Sequence, residues 1–283
     1  VVRRIAGLLK AVDLKPVVVR HPMPYGDLSA QIAQRFGTIE DCDRAQCTIE
    51  EREEYEQHIR NGVVVYAGVD YARVLALAEQ EADVILWEGG NNDWSFLRSD
   101  LEIVLLDPHR AGHELLYHPG EANLRRAHVL VINKLDSAPV SGVQEVLANV
   151  AAINPRATLI QARSMVKADR PDLINDKRVL LIENGPTLTH GEMRYGSGGI
   201  AAHRYGAARV VDPRPPARGS LAEVFQKYPK LGPALPAMGY SRSQLDDLSM
   251  AIAAVECDTV VIATPVDLAR LNPNCQADLP RAL

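Results

Sequence analysis

Two short segments place groups able to handle a phosphate ester and its counter-ion at the ends of apolar runs. In WEGGNND, residues 87 to 93, a carboxylate follows the run DVIL, and two glycines follow the carboxylate. Gly89 and Gly90 would let the backbone pass close to a polyphosphate, while Glu88 would face a magnesium ion with Asp27 as a second ligand. The plainer reading is a turn with a solvated glutamate. Between this segment and residue 128, LDPHRAGHELLYHPGEANLRRAH concentrates His109, Arg110, His113, His118, Arg125 and Arg126. An arginine offers phosphate oxygens a planar fork of donors. His109 and Arg110, in a loop that follows a strand, are the stronger candidates; Arg125 and Arg126 read more simply as solvated.

The run VLVI then ends in Asn133-Lys134-Leu135-Asp136. This is the NKxD pattern in which GTPases use the aspartate to accept hydrogen bonds from guanine, with the asparagine and the lysine stem shaping the base pocket. A turn capped by Asp136 or Ser137 is the alternative. The glycine-rich ENGPTLTHGEMRYGSGG, residues 183 to 199, precedes a helix-compatible stretch whose free N–H groups suit an anion, though a purely structural tight turn is the simpler reading. It also offers Thr187, Thr189 and His190 to a substrate. After the last apolar run, ATPVDL brings Thr264, Pro265 and Asp267 to where a loop closes over a base or ribose. Across the chain no lysine follows a glycine, so GxxxxGK[ST] has no match.

These segments need a scaffold that presents strand ends. Short β-branched runs at 17–19, 63–66, 83–87, 101–106, 128–132, 158–161, 178–182, 208–211 and 258–263 predict buried strands. Helical patterns at 29–36, 71–81 and 143–152 lie between them, and residues 40 to 61 read as a solvated acidic helix. Alternation of this kind predicts an α/β fold built on a doubly wound, mostly parallel sheet, with ligands beyond the carboxyl ends of the strands. Apolar Val2, Ile5, Leu8, Leu9 and Val12 recur at helical spacing with no capping residue before them, as in a P-loop NTPase core truncated just after its phosphate loop. Residues 1–160 would form that nucleotide-binding core, and residues 161–283 would continue the same sheet or pack as a subdomain.

Composition fits this picture. With 283 residues, 47% hydrophobic and 24% charged, the chain can bury a core, and a net charge of -5 supplies no basic field for nucleic acid. No run reaches the ~20 apolar residues of a membrane span, and four scattered cysteines make no disulfide framework. The location expected is the cytoplasm.

Ordered strings including YHPGEANLRRA, VINKLDSA, ENGPTLTHG and KYPKLGPALPAMGYS resemble the cyclic 2,3-diphosphoglycerate synthetase family over about residues 1 to 270. The resemblance implies an ATP- and magnesium-dependent ligase that closes 2,3-diphosphoglycerate into a cyclic anhydride and releases ADP and phosphate. Glu88, Arg110 and His113 would be catalytic, and His109, Arg110, Arg125, Thr187, Thr189 and His190 would hold the substrate. Gly89, Gly90, Asn133, Lys134, Asp136, Thr264, Pro265 and Asp267 would face the nucleotide, either ATP or GTP, and Asp27 and Glu88 the metal. The partners expected are a small phosphorylated substrate and a second copy of the chain. A regulatory or metal-delivery GTPase and a non-catalytic binding protein are the alternatives.

Overall fold

A computed structural model describes residues 1–21, 27–90, 93–184, 188–189, 194–237, 242–265 and 268. The fold is α/β with mostly parallel sheets. The chain divides into two compact units, one made of residues 1–41 and 58–165, the other of residues 42–57 and 166–283.

The first unit opens with helix α1 (Val2–Lys10), which buries Ala6 and leads into strand β1 (Pro16–Arg20). All five residues of β1 are buried, since the strand is central: β3 (Val64–Ala67) and β4 (Val84–Trp87) flank it in parallel. Val17, Val19 and Tyr66 pack with Val74 and Ala78 of α4 (Tyr71–Ala78), a helix whose N-cap Asp70 accepts from the Arg73 N–H. The helix expected over 29–36 does not form. Turns cover residues 28–33, and β2 (Gln34–Phe36) joins the sheet antiparallel to β3. Two tertiary interactions override the local helical pattern there. Val69 and Asp70 N–H groups bond the carbonyls of Gln31 and Ile32, and Arg35 grips Glu81 through two bonds of 2.7 and 3.0 Å. Gly68 permits the approach, because a Cβ there would lie 2.4 Å from the Ile32 carbonyl oxygen.

A second sheet of the same unit runs β5 (Ile103–Leu106), β6 (Val129–Ile132), β7 (Thr158–Gln161), all parallel. Helices α5 (His113–Leu116), α6 (Gly120–Arg126) and α7 (Val140–Ile153) belong to it, and Leu106, Leu130 and Ile132 pack with Leu124, Val146 and Val150.

In the second unit β8 (Arg178–Asn184) is central, between β10 (Ala234–Ala237) and β11 (Thr259–Ala263), with β9 (Arg209–Val210) paired at its start. Helices α8 (Ser197–Arg204), α9 (Gly219–Lys227) and α10 (Arg242–Ala254) accompany these strands. Two further helices contribute to the segment 42–57, α2 (Ile39–Arg44) with its second half and α3 (Ile49–Arg60) with most of its length. The expectation of a solvated helix over 40–61 fails: Glu51, Arg52, Glu53, Tyr55 and Glu56 are all buried. Several of these groups have protein partners in place of solvent. Arg52 binds Asp43 at 2.7 Å and Glu56 at 3.1 Å, and Thr48 with Glu51 closes a capping box. No described helix is long and apolar enough to cross a membrane.

Candidate functional site

At the carboxyl end of the first sheet, Glu88 follows β4 and is fixed to β1 by its N–H bond to the Val19 carbonyl, 3.0 Å. Its carboxylate meets two groups that the sequence reading passed over. His58 Nε2 lies 2.7 Å from Glu88 Oε2, and Arg20 Nη1 lies 3.5 Å from the same oxygen. Burial works against ionisation of Glu88, but the His58 bond and the Arg20 charge outweigh it and hold the carboxyl below its usual range. The other ring nitrogen, His58 Nδ1, is buried and without a partner among the described residues. Beside them, Asp93 accepts from the Gly90 N–H at 2.6 Å and pairs with His21 at 2.9 Å. A Cβ at Gly89 would come within 2.9 Å of the Trp87 indole nitrogen, which accounts for glycine there. Asp27 closes its own turn, accepting from Ser29 N–H and hydroxyl at 2.9 and 2.6 Å. Both carboxylates expected to hold magnesium are thus engaged with protein donors, and among the described residues no group of three His, Cys, Asp or Glu is placed to hold a metal ion.

The second sheet gathers the other cationic candidates around a residue not singled out from the sequence, Asp107. It caps the 3-10 turn Pro108–Arg110 by accepting from His109 N–H, and it receives Lys134 Nζ at 2.7 Å and Arg110 Nη2 at 3.3 Å. Burial would raise its pKa, yet the Lys134 bond and charge bring it below the ordinary value. Lys134 reaches it from a left-handed backbone, φ 59°, a conformation that costs a non-glycine residue roughly 1–2 kcal/mol. His109 bonds the Ser137 hydroxyl at 2.9 Å. Asp136 accepts from the Ser164 N–H at 2.7 Å, and the Asn133 N–H bonds the Leu106 carbonyl. His113 packs edge-on against Tyr117, and Arg125 pairs with Glu121 one turn away in solvent. The structure therefore brings Arg110, Lys134, His109 and Asp107 together, whereas Arg125 stays on an exposed helix face.

In the second unit the N–H groups of the glycine-rich segment close on a carboxyl group supplied by the chain, and its burial pushes its pKa up despite those bonds. Glu183, 1% exposed near the end of β8, accepts from the N–H groups of Gly196, Gly199 and Gly198 at 2.9, 2.8 and 3.2 Å. The start of α8 expected to meet a ligand is thus satisfied by this carboxylate. Next to it, Asn184 Nδ2 donates to Glu53 at 2.7 Å, and the Thr264 hydroxyl donates to Glu53 at 2.9 Å. The Pro265 carbonyl accepts from Gln57. Burial pushes both Glu50 and Glu53 up to about 7, with neighbouring glutamates adding to the shift. Thr189 is buried. Thr187, His190 and Asp267 lie outside the described residues.

No known protein family's sequence profile matches the chain. A curated relative does: the chain is 55% identical over 268 residues to a protein of Thermococcus kodakarensis named arginine synthetase ArcE. That relative is a synthetase of arginine. The alignment takes in 95% of this chain and 60% of the relative, so the chain spans about three-fifths of the relative's length. This identity overturns the expected likeness to cyclic 2,3-diphosphoglycerate synthetases, and with it the ring-closing reaction, its substrate and the GTPase alternative.

Proposed function

We propose that this chain is the greater part of a nucleotide-dependent synthetase whose reaction has arginine as product in one direction and as substrate in the other. The observation carrying this reading is the 55% identity over nearly the whole chain to a protein named for that activity. A bound nucleoside triphosphate would supply the phosphoanhydride whose cleavage drives bond formation. Arg110 and Lys134, converging at the carboxyl ends of β5 and β6, are suited to polyphosphate oxygens, with Asp107 holding both in place. The small glycines Gly89 and Gly90 leave room for the same kind of ligand at the end of β4, and Glu88 orients Arg20 and His58 there.

Arginine itself carries a cationic, planar guanidinium, which calls for a carboxylate with open lone pairs. Glu53 has accepted two hydrogen bonds of the roughly four its carboxylate can take. Glu50, Glu53 and Glu54 repel one another on a single helix, a repulsion that a bound cation would relieve. We assign the guanidinium to Glu53, with Asn184 and Thr264 fixing the carboxylate plane. Because Glu53 titrates at about 7 and only its ionised form pairs with a cation, arginine affinity should rise with pH. The rise approaches tenfold per unit well below pH 7 and levels off above it. Calorimetric titration of arginine in buffers of different ionisation enthalpy measures this, and binding below pH 7 should release close to one proton. Arginine binding that is independent of pH between 5.5 and 8 would remove Glu53 from the site.

A further inference from the structure

In the first unit, a cavity of about 270 Å³ lies between α1 and the end of α3, lined by Arg3, Gly7, Lys10, His58 and Asn61 over an apolar floor of Ala6 and Val63. It holds room for about nine waters at liquid density, just under the size usual for organic ligands. Its polar wall is cationic: Arg3 and Lys10 stand on one helix face, and no lining residue is acidic. Lys10 uses one N–H on the Asn61 carbonyl at 2.9 Å, which orients the ammonium at the rim.

Gly7 is the informative member. It sits in the interior of α1, where glycine weakens a helix relative to alanine, and it is not at a positive φ. No atom outside its own helix backbone and chain neighbours comes within 4 Å of a Cβ built there, so neither backbone conformation nor packing calls for glycine. Its effect is to keep the space between Arg3 and Lys10 open.

We propose that this cavity binds a small oxyanion of the phosphate class, as free orthophosphate, held by Arg3 and Lys10 and admitted by Gly7. A planar guanidinium and an ammonium spaced across a small polar pocket match a tetrahedral oxyanion, and the volume excludes a whole nucleotide. The site is separate from the proposed arginine carboxylate and stands whether or not the synthetase reading holds.

The test is titration of the protein with orthophosphate, followed by calorimetry and by ³¹P line broadening, with ADP as a competing arm. Wild type should bind a phosphate that the Gly7 variant lacks. Gly7→Leu should abolish binding by filling the space, and Lys10→Gln and Arg3→Gln should each weaken it at least about tenfold, with circular dichroism confirming that all three fold as wild type. Phosphate binding unchanged in Gly7→Leu, or absent from wild type at millimolar phosphate, overturns the proposal. Displacement of phosphate by stoichiometric ADP would assign the cavity to a nucleotide's phosphate end and overturn the free-ion assignment.

Discussion

Replacing Glu183 by alanine should destabilise the second unit by at least about 3 kcal/mol, a large share of the stability of an ordinary domain. The carboxylate is almost wholly buried and is the acceptor for three backbone N–H groups at the start of α8. Alanine leaves those donors without an acceptor in a space closed to water, at about 1–3 kcal/mol each, and adds a cavity beside β8. Glu183→Gln retains one acceptor oxygen but turns an NH₂ toward the same donors, so it should recover less than half of the loss. In the wild type glycine is needed at both positions, because a Cβ at Gly196 or Gly198 would lie 2.5 or 3.0 Å from the carboxylate. Chemical denaturation of the variants checks this; a loss under about 1 kcal/mol for Glu183→Ala would mean that the loop re-forms around water.

Glu53→Gln should act in the opposite sense at neutral pH and above. The folded carboxyl titrates at about 7 against 4.5 for the ordinary group, so folding favours its protonated form. The associated stability is fully present below pH 4.5 and is lost as pH rises to 7, by up to about 3 kcal/mol for a gap of this width. Glutamine keeps the shape and stays neutral. Its amide oxygen can accept from Asn184 Nδ2, and its NH₂ can donate to the Thr264 hydroxyl. Relative to wild type the variant should therefore be near-neutral at pH 4.5 and more stable at pH 8. A wild-type-minus-variant stability difference that does not change with pH would show that folding leaves the Glu53 carboxyl at its ordinary value. If Glu53 is also the arginine carboxylate, the same variant loses arginine affinity while gaining stability. That separation is the signature of a charge kept for binding at a cost to the fold.

The strands were legible where apolar β-branched residues run together, as in Val17-Val18-Val19, Val129–Ile132 and Thr259–Ala263, because buried parallel strands need no alternation. Two strands escaped. Gln34–Phe36 is polar and held by pairing with β3 and by the Arg35–Glu81 contact, neither visible locally. Ala234–Ala237 contains Pro236, which reads as a strand breaker yet is accommodated beside β8 at the sheet edge. The site was less legible than the fold. His58 and Glu88 are thirty residues apart, Asp107 and Lys134 twenty-seven, and Glu53 and Thr264 two hundred and eleven. Helix α3 concealed Glu53 most effectively, since an almost uniformly charged helix has the composition of a solvated one. Its burial is possible because Arg52, Asn184 and Thr264 meet those charges one by one. A signal was present in Tyr55, a fully buried ring in the middle of the acidic run. In the glycine-rich segment the N–H groups close on the chain's own Glu183 carboxyl, so the structural turn was the reading that needed a partner named, and that partner lies on β8.

The identity of the reaction is tested most directly by running it from the named product in the protein that carries this chain. Arginine, a nucleoside diphosphate and orthophosphate are supplied together, with the monophosphate and pyrophosphate as a parallel arm, and formation of nucleoside triphosphate is followed. The account predicts triphosphate that appears only when arginine is present and falls sharply in Glu53→Gln. Arginine-independent triphosphate formation, or none in either arm from a folded protein, would contradict it.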